Sequence, residues 1–310
     1  MNKDSTILVL GSKGLVGSSL YKKLIELEYT NVIPITRSEC NLTDSNDVHK
    51  CFFKHKPEYV FHCAGKVGGI LANNNYPATF GFDNGMMALN IIFNCLHFSV
   101  KKLLFLGSSC IYPKNCSQPI KEEYLLTSEL EPTNEMYALA KIFGLKLCQA
   151  FNKEFRTNFI SCMPCNLYGP GDNFDLETSH VLPALIQKIY TAKHTNIPPE
   201  IWGTGEVYRE FMYVDDLADA CIFLMNNYSE TQTINVGTGQ DILIKDLVTL
   251  ISNIIEYKGS INWDTSKPNG TYRKLLDVTR INTIGWRSKI TLEEGLNKTY
   301  EWFKSNVHKL

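Results

Sequence analysis

Three glycines open the first strand–helix segment of this 310-residue chain and constrain its fold more than any other feature. Gly11, Gly14 and Gly17 follow the apolar run 6–10 and precede the amphipathic stretch 15–28, whose leucines fall largely on one helical face. Glycines at this spacing let the backbone turn tightly and approach a pyrophosphate, while a helix N-terminus offers free N–H groups. The motif therefore predicts a dinucleotide-binding loop rather than an ordinary turn.

The first half of the chain repeats this strand–helix alternation. Apolar runs predict further strands at 31–36, 58–63, 102–107 and 158–163, and periodic stretches predict helices at 45–55, 84–99 and 137–154. This order is typical of an α/β fold of the Rossmann type, a doubly wound parallel sheet with helices on both faces. Such sheets bind ligands at the carboxyl ends of their strands.

The second half predicts a smaller C-terminal substrate lobe. Turn-rich residues 166–178 predict a loop, and the segments beyond it predict helices at 180–192, 215–226, 243–256 and 291–304, with short strands such as 232–236. We expect residues 1–165 to form the nucleotide-binding domain, with return segments near 205–237. Residues 166–310 should form mainly the substrate lobe, interlocked with the first.

Composition excludes several classes of protein. With 44% hydrophobic residues, 20% charged residues and a formal net charge of −1, the chain is typical of a soluble globule, and it predicts neither a nucleic-acid nor a membrane partner. The polar residues 1–6 lack the form of a signal peptide, so we expect a cytoplasmic protein. The ten cysteines are then expected as reduced core residues. Cys162 and Cys165 form a lone C-x-x-C, which predicts no metal site.

The end of the second strand indicates which dinucleotide binds. In an NAD site an acid at this position normally accepts a hydrogen bond from the ribose 2′-hydroxyl. Here Arg37 ends the strand and Lys13 lies in the glycine loop. Because a guanidinium matches phosphate geometry, two cations favour the 2′-phosphate of NADP(H), although Arg37 could also be a solvated surface charge.

A second motif supplies acid–base chemistry. Tyr137 and Lys141 are four residues apart at the start of a predicted helix, so both project from one face. A lysine cation should lower the phenol pKa, and the tyrosine can then pass a proton to a carbonyl oxygen as hydride arrives. Ser108 and Ser109 follow a predicted strand and supply a hydroxyl to hold that oxygen.

In this order, the glycine loop, the serines and the Tyr137–Lys141 pair resemble the extended short-chain dehydrogenase/reductase family. The resemblance implies a redox enzyme in which the nicotinamide carries the hydride and the protein positions it. It also implies which residues contact the cofactor: Gly11, Ser12, Lys13, Gly14, Leu15, Val16, Gly17, Arg37, Asn41, Leu42, Leu106, Gly107, Ser108, Ser109, Lys141, Pro164, Cys165, Asn166, Leu167 and His180.

Longer motifs are similar to the GDP-L-fucose synthase family, and they lie at 66–77, 106–113, 131–137, 166–170, 179–183, 209–211 and 274–280. That resemblance implies epimerisation of GDP-4-keto-6-deoxy-D-mannose at C3 and C5, followed by NADPH-dependent reduction at C4. Cys110 and His180 align with the family's epimerisation pair, a thiol base and an imidazole acid on opposite faces of the sugar. Taken singly, Cys110 and His180 could instead be a packed thiol and a capping histidine.

For the GDP-sugar substrate, the resemblance implies contacts from Lys188, Trp202, Arg209 and the loop 267–270, which contains Asn269. Three residues depart from the family pattern: Ser12 replaces a histidine, Cys165 a threonine and Asn269 an aspartate. Family members commonly dimerise through two long helices, for which 84–99 and 137–154 are the candidates, so we expect a homodimer.

Two other functions stay open at this stage. A relative could reduce C4 of another GDP-4-keto sugar without epimerising it. A non-catalytic NADP-binding sensor or scaffold is disfavoured, because Tyr137 and Lys141 are both present. A dehydratase would need an acidic pair where Cys110 and Ile111 stand.

Overall fold

Six parallel strands form the central sheet of the computed structural model, which describes residues 1–267 and 269–309 apart from the side chain of Lys309. In chain order the strands are β1 (Ile7–Leu10), β2 (Val32–Ile35), β3 (Tyr59–His62), β4 (Lys102–Leu106), β5 (Phe159–Pro164) and β9 (Ile234–Val236). Their order across the sheet is β2-β1-β3-β4-β5-β9, so the order reverses at β1. The predicted doubly wound parallel sheet is confirmed.

Helices cover both faces of this sheet. One face carries α1 (Leu15–Glu26) and α7 (Val214–Asn227), which pack against each other. The other carries α2 (Ser45–His55), α4 (Pro77–His97) and α5 (Glu135–Phe155). Alternate residues of β1 pack into the apolar cores on the two faces of the sheet. Ile7 and Val9 pack on the face with α1 and α7, and Leu8 and Leu10 pack on the opposite face. Burial on both faces explains why the strands are continuous apolar runs.

A second lobe has its own apolar core, built on α6 (Val181–Thr195), α8 (Ile244–Ile255) and α10 (Leu292–Asn306). Its main strand, β8 (Tyr208–Tyr213), pairs with three short strands, β6 (Asn166–Tyr168), β10 (Asp241–Leu243) and β12 (Arg273–Lys274). Two further strands, β7 (Glu200–Trp202) and β11 (Asn262–Asp264), pair in parallel. The remaining helices are α3 (Ile70–Asn75) and α9 (Thr279–Thr283).

Two of the differences from the predicted elements have a clear physical reason. Helix α4 begins at Pro77 rather than at 84, because proline suits the first turn of a helix, where its missing N–H has no intrahelical partner to lose. The segment predicted as a loop from 166 begins with strand β6, which exists through its pairing with β8.

Three simple properties bear on function. Throughout the described ranges, no helix has the length and apolar character that crossing a membrane requires. All ten cysteines lie within those ranges, and each is a free thiol. The same residues contain no group of three or more metal-ligating side chains close enough to hold an ion.

Candidate active site

A cavity of about 1560 Å³ lies between the carboxyl edge of the central sheet and the second lobe. Residues directly after β1, β2, β3, β4 and β5 form one wall, and residues of α6, β7 and β8 form the other. This is the position expected for ligands of a doubly wound sheet.

The glycine loop brings α1 unusually close to the end of β1. Gly11 has φ +83°, and a Cβ there would lie 2.7 Å from the Cα of Ala64. A Cβ at Gly17 would lie 2.2 Å from the carbonyl oxygen of Gly11. Among the described residues, no side chain caps α1, which begins at Leu15. The first N–H groups of that helix therefore remain for an anion.

Lys13 and Arg37 both line the cavity with exposed side chains. Hydrogen bonds from Thr36 lower the pKa of Glu39, and the charge of Lys13 lowers it further. The two cations predicted to bind a 2′-phosphate thus line the same cavity.

Most of the predicted cofactor residues line this cavity. They are Gly11, Lys13, Gly14, Leu15, Val16, Arg37, Asn41, Leu42, Leu106, Gly107, Ser108, Ser109, Lys141, Pro164, Cys165, Asn166, Leu167 and His180. Ser12 and Gly17 lie outside the lining that the described residues form. Ser12 is buried, and its Oγ finds no hydrogen-bond partner in the described structure. Burial raises the pKa of the Cys165 thiol well above its usual value, so this residue is a neutral wall of the cavity.

Tyr137 lies in the first turn of α5, with its ring edge-on to Phe80 at a centroid distance of 6.5 Å. Burial raises the pKa of its phenol, the Cys110 thiol adds to the rise, and the Ser108 hydroxyl opposes it. The net lowering of this pKa that was predicted from Lys141 is therefore not found. Burial of the phenol raises its pKa more than the Lys141 ammonium can lower it, since the Nζ lies 5.8 Å from the phenol ring centroid.

Lys141 projects from α5 to the end of β4, where its Nζ donates a hydrogen bond to the carbonyl oxygen of Leu106 at 2.9 Å. The side chain is 5% exposed. Burial lowers the pKa of its ammonium to about 8, and neighbouring thiols, Cys63 foremost, oppose that change. The strand end thus fixes the lysine beside Ser108 and Tyr137.

Cys110 and His180 line the same cavity. Cys110 lies in a one-turn 3-10 helix directly after β4, and its N–H donates to the Ser108 Oγ at 3.2 Å. His180 occupies the N-cap position of α6, and desolvation lowers the pKa of its imidazole. The structure therefore brings the predicted thiol and imidazole to the cavity that also holds Tyr137.

The predicted substrate residues form the wall contributed by the second lobe. Trp202 is half exposed, and the Nζ atoms of Lys188 and Lys267 lie 5.5 Å and 5.6 Å from its ring centroid. Lys188 also donates to the carbonyl oxygen of Glu200 at 2.8 Å. This arrangement offers an aromatic face and two cations to an anionic ligand with a flat base.

Arg209 and Asn269 have different roles. Burial lowers the pKa of Arg209 to about 10, and its Nη1 donates to the carbonyl oxygen of Tyr208 at 2.7 Å. The Asn269 Oδ1 accepts hydrogen bonds from the N–H and hydroxyl of Thr204 at 2.8 Å and 3.2 Å, so this oxygen holds the turn after Trp202. Pro268, in the same predicted loop, lies outside the described residues.

Sequence motifs missed several polar residues of the cavity. Lys114 pairs with Glu131 at 3.3 Å, and the same carboxylate accepts from the Thr271 hydroxyl at 3.3 Å. Lys274 follows in β12. Asn134, just before α5, donates to the Cys110 Sγ at 3.3 Å. Glu131 and Asn134 stood inside quoted motifs, but only the fold shows what their side chains contact.

Comparison with known proteins agrees with this site. A profile of the NAD dependent epimerase/dehydratase family matches residues 7–237. The chain therefore belongs to that family. Within it, the chain is 51% identical to the GDP-L-fucose synthase of Sinorhizobium fredii, over 97% of this chain and 96% of the relative.

Two solved structures are similar to this one over nearly the whole chain. A GDP-6-OMe-4-keto-L-xylo-heptose reductase from C. jejuni matches with a TM-score of 0.94 and 37% identity, over 99% of both chains. A GDP-L-fucose synthetase from Naegleria fowleri, solved bound to NADP, matches with a TM-score of 0.91 and 28% identity, over 99% of this chain and 96% of that one.

Proposed function

We propose that this protein converts GDP-4-keto-6-deoxy-D-mannose to GDP-L-fucose by epimerisation at C3 and C5 and NADPH-dependent reduction at C4. The observation that carries the proposal is that one cavity holds both the Tyr137–Lys141–Ser108 group and the Cys110–His180 pair. A plain reductase needs only the first group. The high identity to a GDP-L-fucose synthase supports the same activity.

The cavity fits NADP(H) on its own chemistry. The close approach at Gly17 and the uncapped start of α1 suit a pyrophosphate, and Lys13 and Arg37 suit a 2′-phosphate. The related synthetase solved with NADP agrees with this choice. When bound, the cofactor supplies the hydride for C4.

In the reductive half, Tyr137 donates a proton to the C4 oxygen. Its raised pKa keeps the phenol protonated at neutral pH, which is the form that a reduction requires. Lys141, fixed by the Leu106 carbonyl, stabilises the phenolate left behind. The Ser108 hydroxyl holds the substrate oxygen in place.

In the epimerising half, Cys110 and His180 act on the carbons that flank the C4 carbonyl. That carbonyl acidifies the protons at C3 and C5, and their removal gives an enolate. We assign Cys110 as the base and His180 as the acid that returns a proton on the opposite face.

The substrate's GDP group is placed against the second lobe. Lys188 and Arg209 bind the pyrophosphate, and Trp202 packs against a flat part of the ligand. Asn269 acts on this contact by holding the turn that follows Trp202.

We also propose a cytoplasmic homodimer, because the thiols are free and α4 and α5 expose apolar side chains.

The activity is tested by incubating the protein with NADPH and GDP-4-keto-6-deoxy-D-mannose in deuterated water and examining the product by NMR. We expect GDP-L-fucose with deuterium at C3 and C5. Tyr137→Phe should slow NADPH oxidation by about 10²- to 10⁴-fold. Cys110→Ala should remove the deuterium, whereas Cys116→Ala, outside the described cavity lining, should not.

A C4 reductase of another GDP-4-keto sugar is the second candidate, favoured by the likeness to the C. jejuni heptose reductase. Reduction of such a sugar without deuterium at the flanking carbons would establish this candidate and contradict the first.

A further inference from the structure

Asn134 occupies the N-cap position of α5 but does not cap the helix. Asparagine is among the best N-cap residues, because its carbonyl oxygen accepts a free N–H of the first turn. Within the described residues, the Asn134 side chain makes no such hydrogen bond. An uncapped first turn is less stable than a capped one, so the side chain is held elsewhere at the expense of the helix.

The amide of Asn134 is directed to Cys110 instead. Its Nδ2 donates to the Cys110 Sγ at 3.3 Å, and its buried Oδ1 finds no partner among the described side chains and backbone groups. The backbone of Cys110 is held separately, by the bond from its N–H to the Ser108 Oγ. Asn134 is therefore the described residue whose amide fixes the sulfur atom itself.

We propose that Asn134 is a positioning residue for Cys110, which holds the sulfur in the cavity and stabilises its thiolate. A donor directed at a charged group strengthens as the charge forms, so the hydrogen bond favours the thiolate over the thiol. Lys141, Arg209 and Tyr137 line the same cavity as this sulfur. The catalytic consequence rests on the proposed epimerisation, whereas the effect on the thiolate does not.

Alkylation measures the thiolate directly. The purified protein is treated with iodoacetamide at pH 7, and labelling of Cys110 is followed by mass spectrometry. Asn134→Ser removes the amide but keeps a good N-cap residue, so the helix should remain. We expect labelling to slow by about threefold, because losing one hydrogen bond to the ion lowers the thiolate fraction about tenfold while the remaining thiolate is more nucleophilic. Asn134→Asp should slow it further, because a carboxylate repels the thiolate.

The matched control is Asn94→Ser. Asn94 is buried, and its Oδ1, like that of Asn134, finds no partner in the described structure, but it lies on α4 outside the described cavity lining. Its replacement should leave labelling unchanged. If Asn134→Ser labels as fast as the native protein or faster, with a melting temperature as high as that of Asn94→Ser, the proposal is wrong.

Deuterium exchange at C3 and C5 then tests whether Asn134 acts through Cys110. If it does, Asn134→Ser lowers the exchange rate by about the same factor as it slows alkylation of Cys110. A loss of exchange with unchanged alkylation would mean that Asn134 acts independently of the thiol, and would overturn the proposal. Absence of exchange in the native protein would instead count against the proposed function, and the alkylation result would still decide whether Asn134 stabilises the thiolate.

Discussion

His62 ends β3 as a buried ring, 2% exposed, that lies edge-on to Phe105 at a centroid distance of 5.3 Å. Its Nδ1 finds no hydrogen-bond partner in the described structure. Burial, reinforced by the charge of Lys141, lowers the pKa of this imidazole to about 3. The unfolded chain takes up the proton near pH 6.5. Between those two values the unfolded state binds more protons, so the free energy of unfolding falls as the pH is lowered.

This single group should lower the free energy of unfolding by up to about 1.4 kcal/mol for each pH unit below 6.5. Urea unfolding at pH 7.5, 6 and 5 measures the slope, and His62→Gln should reduce it by up to one proton. His194→Gln, at an exposed position on α6, is the matched control. An unchanged slope in His62→Gln would contradict the prediction.

Side-chain identities predicted which groups meet in the cavity, but their protonation depends on neighbours distant in sequence. The spacing of Tyr137 and Lys141 indicated a shared helix face, yet the phenol pKa is set by burial and by Cys110, 27 positions earlier in the printed sequence. Likewise, the sequence placed Asn269 among the substrate contacts, and the fold shows its oxygen bonded to Thr204.

At the level of elements, Gly17 determines how α1 meets β1. A methyl group at this position would lie 2.2 Å from the Gly11 carbonyl oxygen, so Gly17→Ala must push the helix away from the loop. We expect a loss of about 1–3 kcal/mol in the free energy of unfolding and weaker binding of NADPH. Urea unfolding and a fluorescence titration with NADPH measure the two effects.

Gly14 in the same loop is the control for stability. A Cβ there would lie 3.4 Å from the same oxygen, an ordinary contact, so Gly14→Ala should leave the free energy of unfolding nearly unchanged. Equal losses in the two variants would show that the close approach at Gly17 is not the cause.

Elements with a strong internal pattern were predictable, and those made by pairing were not. The buried strands of the central sheet are continuous apolar runs, and such runs predict strands directly from the sequence. Strand β6 has only three residues and depends on β8, which lies more than 40 positions later. Helix α3 contains three consecutive asparagines, which have low helix propensity, so its sequence gave no helical signal.

For the whole molecule, the division into lobes near residue 165 remains a prediction. The three apolar cores divide between the two faces of the central sheet and the second lobe, and the cavity lies where they meet. Alternation of strands and helices was enough to predict that sheet and its binding edge. It could not predict which residues of the second lobe reach the cavity, since that depends on how β8 and α6 pack.

The surface of α4 and α5 argues for a dimer. The two helices pack side by side, and α4 exposes Phe82, Leu89 and Phe93 at a spacing that places them on one face. Helix α5 does the same with Met136, Leu139 and Phe143. Monomeric proteins rarely expose so large an apolar patch, and a two-fold axis would let this patch cover its own copy as a four-helix interface.

Light scattering after gel filtration should therefore give about 70 kDa, twice the 35.2 kDa of one chain. Phe93→Glu combined with Phe143→Glu would bury unpaired charges in the interface and should give monomers. Phe53→Glu, at an exposed phenylalanine on α2, should leave the dimer intact. A native mass of about 35 kDa at micromolar concentration would contradict the dimer.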